Sequence, residues 1–392
     1  MVTATNIVAR DNVPAFANSA YDGYAVRASD LHGASTATPI TLEVVDEIQA
    51  GHTSSVEIKS GQAARIMTGA PIPGGANAII PFESTDRVDW GLLGTSRPHA
   101  TNSEPTIVAV LESIQPGENI RRAGGDVRAG DIVLVAGSTV GAPEIGVLAS
   151  VAVSSVLVYP RAVVALLPTG NEIIEIDTPF KFGQVRNSNA WALEAAATSI
   201  GATPRRLPIA ADSVEALRAG LANAADAHII VTIGGVSMGD FDLVKNVLGT
   251  DGQMDFWQIN MRPGKPLVFG RLNNIPLIGL PGNPVSSMVC FALFVRPALL
   301  RLMGHKDITH PRIRSRAGER LASSSGKRTF IRVKLHREHD DLVCTSVGDQ
   351  DSYRMSSLVA GHGLAVIPED AVLEVGESVE VMVMDEQAVL RL

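Results

Sequence analysis

The sequence predicts a multidomain α/β protein: a central three-layer α/β domain with a mostly parallel sheet, β-rich N-terminal domains before it and a small C-terminal β domain after it. Three observations carry this. Apolar runs of strand length at 162–167, 228–233 and 275–280 alternate with helical stretches, the pattern of βαβ units around a parallel sheet. Residues 39–135 show short strand-like runs cut by turn clusters and no long helical period. From about Pro311 apolar and polar residues alternate again, as in Thr329–His336 and Ser378–Asp385.

Length agrees, since 392 residues correspond to roughly two to four domains. A chain that is 45% hydrophobic and 19% charged has the composition of a folded protein. Its net charge of −8 argues against a wholly basic nucleic-acid binder, because phosphate contacts need a cationic surface. Two cysteines, Cys290 and Cys344, make no Cys-x-x-Cys pair and no disulfide framework, and they suit a reducing cytoplasm. Residues 1–13 lack the apolar segment of a secretory signal. Residues 272–295 carry no charge, yet they include Asn273, Asn274, Pro276, Pro281, Asn283 and Pro284, and the uninterrupted apolar part is too short to span a bilayer. That stretch reads as a buried strand, a turn and a buried helix start.

In chain order, strands are expected at Ile40–Val45, Ala78–Pro81, Thr106–Leu111 and Ile132–Val135, then a short apolar helix from Pro143 to Val151. The run 162–167 ends in Pro168-Thr169-Gly170-Asn171-Glu172. A helix Asn189–Ile200 follows, with Asn189 as its N-cap and Gly201 at its end. Next come a strand near Thr203–Pro208, a helix Ser213–Ala224 and the strand His228–Ile233, which runs into Gly234-Gly235-Val236-Ser237-Met238-Gly239-Asp240. A helix is expected after Asp242. The strand Ile275–Leu280 leads into Gly282-Asn283-Pro284 and a helix to about Met303.

Ligands in open parallel sheets sit beyond the carboxyl ends of the strands, and all three polar loops fall at that edge. Their glycines let backbone amides approach an anion, and helix starts add positive potential. Glu172 and Asp242 add carboxylates, which suggests a divalent cation between carboxylate and phosphate. A tight strand-to-helix turn with Asp240 or Asp242 as a simple N-cap is the plainer reading. Met261-Arg262-Pro263-Gly264-Lys265-Pro266 is a stiff cationic loop suited to an oxyanion, or else an exposed turn with solvated charges. Gly282 and Ser286 can hold an anion at a helix start, or the segment is a helix start with Pro284 at its first position.

In this order the loops resemble a family. Gly-Gly-Val-Ser-Met-Gly-Asp-Phe-Asp, Arg-Pro-Gly-Lys-Pro and Gly-Leu-Pro-Gly-Asn-Pro-Val-Ser are similar to the molybdopterin molybdenumtransferases, the molybdenum insertases that include the E domain of gephyrin. Upstream, Asn18-Ser19-Ala20-Tyr21-Asp22-Gly23-Tyr24-Ala25, Met67-Thr68-Gly69-Ala70 and Gly117-Glu118-Asn119-Ile120-Arg121 with Gly124-Gly125-Asp126 resemble its N-terminal motifs. The resemblance runs from about residue 10 to the end.

It implies insertion of molybdenum from molybdate into the dithiolene of adenylylated molybdopterin, with release of AMP and help from Mg²⁺ or another divalent cation. It also implies a cytoplasmic homodimer that acts on pterin and molybdate, works with the molybdopterin adenylyltransferase, and engages neither nucleic acid nor membrane. The implied domains are I (1–27 and 120–156), II (28–119), III (157–307) and IV (308–392). Asp22, Asp126, Glu172, Asp242 and Lys265 are the implied catalytic residues, with Asp22 and Asp126 reaching the cleft of the other subunit. Asp242 and Glu172 are the implied metal ligands. Thr68, Gly69, Thr169, Gly170, Gly234, Gly235, Ser237, Arg262, Gly282, Ser286, Arg332 and Ser352 are the implied cofactor-binding set.

The chain departs from the family at several motif positions. Tyr21 stands for a Met, Gly125 and Asn171 each for an acid, and Arg262 for a Lys. A further N-terminal helix of domain I is expected ahead of the first residue in relatives, and its absence would weaken dimerisation. The lost acids also admit a weakened paralogue that binds molybdate or pterin as a scaffold. A pterin adenylyltransferase of the same central fold is a further reading, against which the additional domains argue. Residues 301–337 hold eleven Lys or Arg against two acids, which reads as a solvated basic face. His336 and His339 read as surface, and Trp191 and Trp257 as packing residues.

Overall fold

The structure is a computed structural model and describes residues 1–87, 107–235, 247 and 252–392. It divides into an N-terminal unit, Thr5–Leu157, and a C-terminal unit, Val158–Leu392 joined by Met1–Ala4.

The core of the C-terminal unit is a six-stranded sheet in the order Thr203–Arg206, Val163–Pro168, Ile229–Ile233, Ile275–Leu280, Pro266–Leu272, Gly252–Gln258. The first four strands are parallel, as expected, and the last two are antiparallel additions. Alternate side chains of the apolar runs feed both faces. Val164 and Leu166 pack with the helices Ser188–Ser199 and Pro284–Leu302, while Ala165 and Leu167 pack with the helix Val214–Ala222. The chain leaves Val163–Pro168 for the strand on one side and then crosses to the other. The strand order therefore reverses between Val163–Pro168 and Ile229–Ile233.

The uncharged stretch resolves as expected into a strand, a turn and a helix. Pro284–Leu302 is long and apolar enough to cross a membrane, but more than half of it is buried inside the protein, against the sheet. Its middle widens at Phe291–Val295, where Arg296 N–H donates to Phe291 O. Pro297, which has no N–H to offer, follows immediately.

Two expectations need correction. The helix expected from Asn189 is capped instead by Asn187, whose side chain accepts from Ala190 N–H, and this frees Asn189 for another contact. The strand Pro266–Leu272 went unread. It is joined to Ile275–Leu280 by Asn273-Asn274, both left-handed (φ 48° and 65°), as a two-residue hairpin requires.

The C-terminal β domain is a closed sheet. Arg328–Glu338, Asp341–Ser346, Arg312–Ala317, Ser378–Val383 and Gly363–Ile367 pair in a ring, with Arg312–Ala317 parallel to Asp341–Ser346. The short strand Met261–Arg262 adds to its edge at Arg328–Thr329. Three arginines of its basic face are ion-paired, Arg312 with Glu380, Arg316 with Asp341 and Arg320 with Glu374.

The N-terminal unit is mostly β, with a five-stranded sheet in the order Ala78–Pro81, Gly23–Val26, Gln62–Ile66, Ile40–Ile48, Ile107–Val110. The short helix is Ala142–Ser150, and Glu144 caps the N–H of Gly141.

Candidate functional site

Three loops meet where the sheet order reverses. Thr169 N–H donates to Ile233 O at 2.9 Å, and Gly234 N–H donates to Leu280 O at 3.0 Å, so each loop is tied to the end of the next strand. Gly234 sits at φ +90°, and a Cβ there would lie 2.7 Å from Thr169 O, so only glycine lets the two backbones cross. The Cα of Gly234 is in turn 3.7 Å from where a Cβ on Gly282 would stand. Asn189 Nδ2, released from capping, donates to Gly282 O at 2.7 Å and fixes the third loop.

The described residues leave a cleft of about 510 Å³ beside this crossing. Thr169, Gly170, Glu172, Gly234, Gly235 and Gly282, all singled out in the sequence, line it. Asn189, Asp212, Arg186 and Tyr353 line it too and were missed. Asp212 stands before a helix cap, and Tyr353 lies in the distant β domain, so neither carried a local signal. Asn171, where the family has an acid, forms a reciprocal bracket with Asp212: each backbone N–H donates to the other's side chain, at 3.0 and 3.1 Å. Arg186 spends its guanidinium on the carbonyls of Glu175, Ile176 and Thr178, and so braces the loop below Glu172.

Other expected residues lie off the cleft wall. Ser286 is buried in the first helical turn. Arg262 and Lys265 are exposed while Pro263 and Gly264 between them are buried, and Pro266 reaches the cleft. Arg332 is 1% exposed. Its guanidinium donates to the carbonyls of Asp349, Gln350 and Asp351 and to Ser357 Oγ, which shapes the loop that carries Ser352. Burial holds its pKa below the usual arginine value, partly offset by Asp351. Ser352 then accepts from Asn283 Nδ2 at 3.0 Å and, through its carbonyl, from Val285 N–H. Ser237 and Asp242 lie outside the described residues. Among the described residues no group of three His, Cys, Asp or Glu converges. His336 bonds Glu338, His339 sits in a left-handed turn, and Trp191 is covered by Arg206 at 3.4 Å.

In the N-terminal unit the three upstream motifs come together. Ser19 N–H donates to Ala70 O, Gly69 N–H donates to Ser19 O, and Ala20 N–H donates to Asn119 O. Asp22 Oδ1 accepts from both Thr68 N–H, at 2.6 Å, and Thr68 Oγ1, at 2.7 Å, which fixes an otherwise exposed carboxylate. Asp126 is bracketed elsewhere, its N–H donating to Val13 O.

Comparison with known proteins agrees with this geometry. Residues 1–152 match the MoeA N-terminal region (domain I and II), 165–301 the probable molybdopterin binding domain, and 314–384 the MoeA C-terminal region (domain IV). Molybdopterin molybdenumtransferase 2 of Mycobacterium tuberculosis is 37% identical over 98% of this chain and 92% of its own length. The molybdopterin molybdenumtransferase of Bacillus subtilis is 32% identical over 98% and 87%. The crystal structure of a molybdopterin biosynthesis protein from Pyrococcus horikosii superposes with a TM-score of 0.81 at 30% identity, covering 97% of this chain and 91% of that one. With relatives this similar along nearly its whole length, the chain belongs to the molybdopterin molybdenumtransferase family.

Proposed function

We propose that this protein is the enzyme that transfers molybdenum from molybdate to the dithiolene of adenylylated molybdopterin, releasing AMP in molybdenum cofactor biosynthesis. The observation that carries the reading is the meeting of three glycine loops in one cleft at the carboxyl edge of the parallel sheet. Gly170 and Gly234 spend their N–H groups on Ala210 O and Leu280 O. The amides we therefore assign to the phosphate are those of Gly235 and Gly282, with Thr169 supporting the crossing.

Lys265 and Arg262 supply positive charge for the molybdate dianion, and Ser352 and Ser286 complete its surroundings. Fixed charges serve best here, because a site that must reorganise loses the benefit. Arg332 acts from behind, by shaping the Ser352 loop. Asp22, held by Thr68, and Asp126 serve the same reaction from the N-terminal unit.

A divalent cation such as Mg²⁺ fits the donor set: Glu172 and Asp212 bring hard carboxylate oxygens to one cleft wall, and such ions use one or two carboxylates plus substrate phosphate. Glu172 and Asp242 would hold it, Ser237 would contact phosphate, and the bound ion would act as a Lewis acid toward the AMP phosphate.

We also propose the four-domain division, a cytoplasmic location, a homodimer, and delivery of substrate by the adenylyltransferase, with no part for nucleic acid or membrane. Val8 and its cross-strand partner Ile132, with Val135 and Ile145, expose apolar surface on the N-terminal unit, as a self-complementary interface would. Sedimentation of the chain should give a dimer, and Ile145→Asp a monomer.

The deciding experiment mixes the purified protein with adenylylated molybdopterin, molybdate and Mg²⁺. Molybdate-dependent AMP release is expected. AMP released without molybdate, or none at all, would favour the other readings instead.

A further inference from the structure

The cationic loop is mounted from two directions. Beneath it, Gly264 lies at φ +102°, and a Cβ there would stand 2.5 Å from Cys290 Sγ and 3.2 Å from Met261 Cε. Cys290 is fully buried on the helix Pro284–Leu302, and its thiol points at Gly264 O, 3.7 Å away. Burial pushes that thiol up to about 12, so it keeps its proton and stays a donor. From the side, Met261–Arg262 pairs with Arg328–Thr329 of the β domain, Arg328 N–H donates to Asn260 O, and Arg262 Nη1 donates to Ser324 Oγ at 2.9 Å.

The burial pattern shows what the mount achieves. Pro263 and Gly264 are pressed into the protein, and the flanking Arg262 and Lys265 are left exposed. Ile259 N–H donates to Lys265 O and closes the loop at its base. Glycine at 264 is required twice over, by its left-handed backbone and by the sulfur below it.

We infer that Cys290 and Ser324 are positioning residues for molybdate recognition: Cys290, with Met261, sets the height of the loop through Gly264, and Ser324 aims the guanidinium of Arg262. This rests on the reading that Lys265 and Arg262 meet the oxyanion. Neither Cys290 nor Ser324 touches substrate. The effect is through placement, and displacing a charged group by about 1 Å can cost roughly 100-fold.

The test measures AMP release against molybdate and against adenylylated pterin separately, with the full chain and Mg²⁺. Cys290→Val puts a branched side chain under Gly264. It should raise the KM for molybdate about tenfold and leave the KM for the pterin within about twofold, while Cys290→Ser, which keeps size and donor, should restore the wild-type value. Ser324→Ala, a change at a half-buried surface position, should raise the molybdate KM about fivefold. It decides the matter alone if Cys290→Val does not fold, as judged by its thermal transition. The inference is overturned if folded variants keep the wild-type molybdate KM, or if both KM values rise together. Lys265→Ala separates the two levels. If it leaves the molybdate dependence unchanged, the underlying reading fails and this inference falls with it. If it weakens molybdate and the positioning variants do not, only the mount is refuted.

Discussion

In the C-terminal unit the motif loops leave the ends of neighbouring parallel strands, so the sheet alone brings Thr169, Gly234 and Gly282 together. In the N-terminal unit Asp22 meets Thr68, and Ala20 meets Asn119, because loops far apart in sequence bracket one another through a handful of hydrogen bonds. The first arrangement is held by strand pairing and by apolar packing on both faces. The second rests partly on buried backbone bonds at Ser19 and Ala70, but its carboxylate is held at the exposed pair Asp22 and Thr68, where water competes. A site carried by a sheet should therefore tolerate loss of a single polar contact yet be intolerant of added volume at its crossing. A bracketed site should show the opposite sensitivity.

The largest effect is expected from adding volume at the crossing. Gly234→Ala places a Cβ against Thr169 O in a left-handed backbone, and either the two strand ends separate or the loop changes course. Molybdate-dependent AMP release should fall roughly 100-fold, because the phosphate loop is displaced relative to Glu172. The thermal transition should move by only a few degrees if the damage stays at the sheet edge. Activity within about twofold of wild type would mean that the crossing is not part of the working site.

A smaller effect is expected in the bracketed site. Thr68→Val keeps the shape and the backbone N–H but removes the hydroxyl that donates to Asp22 Oδ1. Activity should fall about tenfold, the usual scale for one hydrogen bond to a charged group, with little change in stability because both residues are exposed. Restoring the donor with Thr68→Ser should recover most of it. If Thr68→Val costs more than Gly234→Ala, the contrast between the two arrangements is wrong.

The same contrast explains what could be read from the chain alone. Apolar runs such as 162–167 and 275–280 announce buried parallel strands, and a parallel sheet dictates where its loops go, so the cleft residues Thr169, Glu172 and Gly282 were legible. Asn189 was legible as a helix-start residue but not as the donor to Gly282 O, because Asn187 is an equally good cap two residues earlier. Closure of the C-terminal sheet was hidden, since alternation along Thr329–His336 says which face is buried and not which strand lies alongside. The brackets Ser19–Ala70 and Ala20–Asn119 were hidden for the same reason. Tyr353 and the buried pose of Arg332 depend on how the β domain meets the helix Pro284–Leu302, which no local pattern encodes.

The two cysteines give a way to watch the sheet-held unit by itself. Cys290 and Cys344 both belong to the C-terminal unit and are fully buried. Burial raises both thiols above the ordinary value, Cys290 to about 12. A maleimide should therefore label neither in the native protein near neutral pH and both in denaturant, and the labelling rate should follow the opening of this unit. Fast native labelling of either would show that the core around Gly264 or the closed β sheet breathes far more than strand pairing suggests.

The smallest effect concerns acid, and it lies at the seam between the long helix and the closed β domain. His310 precedes the first strand of that domain. Burial, with Arg296 nearby adding to it, lowers its pKa from 6.5 to about 4, while a backbone bond to Val383 partly resists. Arg296 is itself fixed there by donating to Ile308 O at 2.9 Å. A histidine depressed in the folded state stays neutral there while the unfolded chain takes up a proton. Its contribution is therefore complete above the unfolded value of 6.5 and is lost as pH falls toward about 4. The group is only partly buried, so after allowing for solvent screening this amounts to about 1–2 kcal/mol. Urea midpoints should accordingly drop between near-neutral pH and pH near 5 by more in the wild type than in His310→Gln, which cannot take up the proton. If the variant keeps the full acid slope, the sensitivity belongs to other groups, and the seam is as firmly packed as the sheet it adjoins.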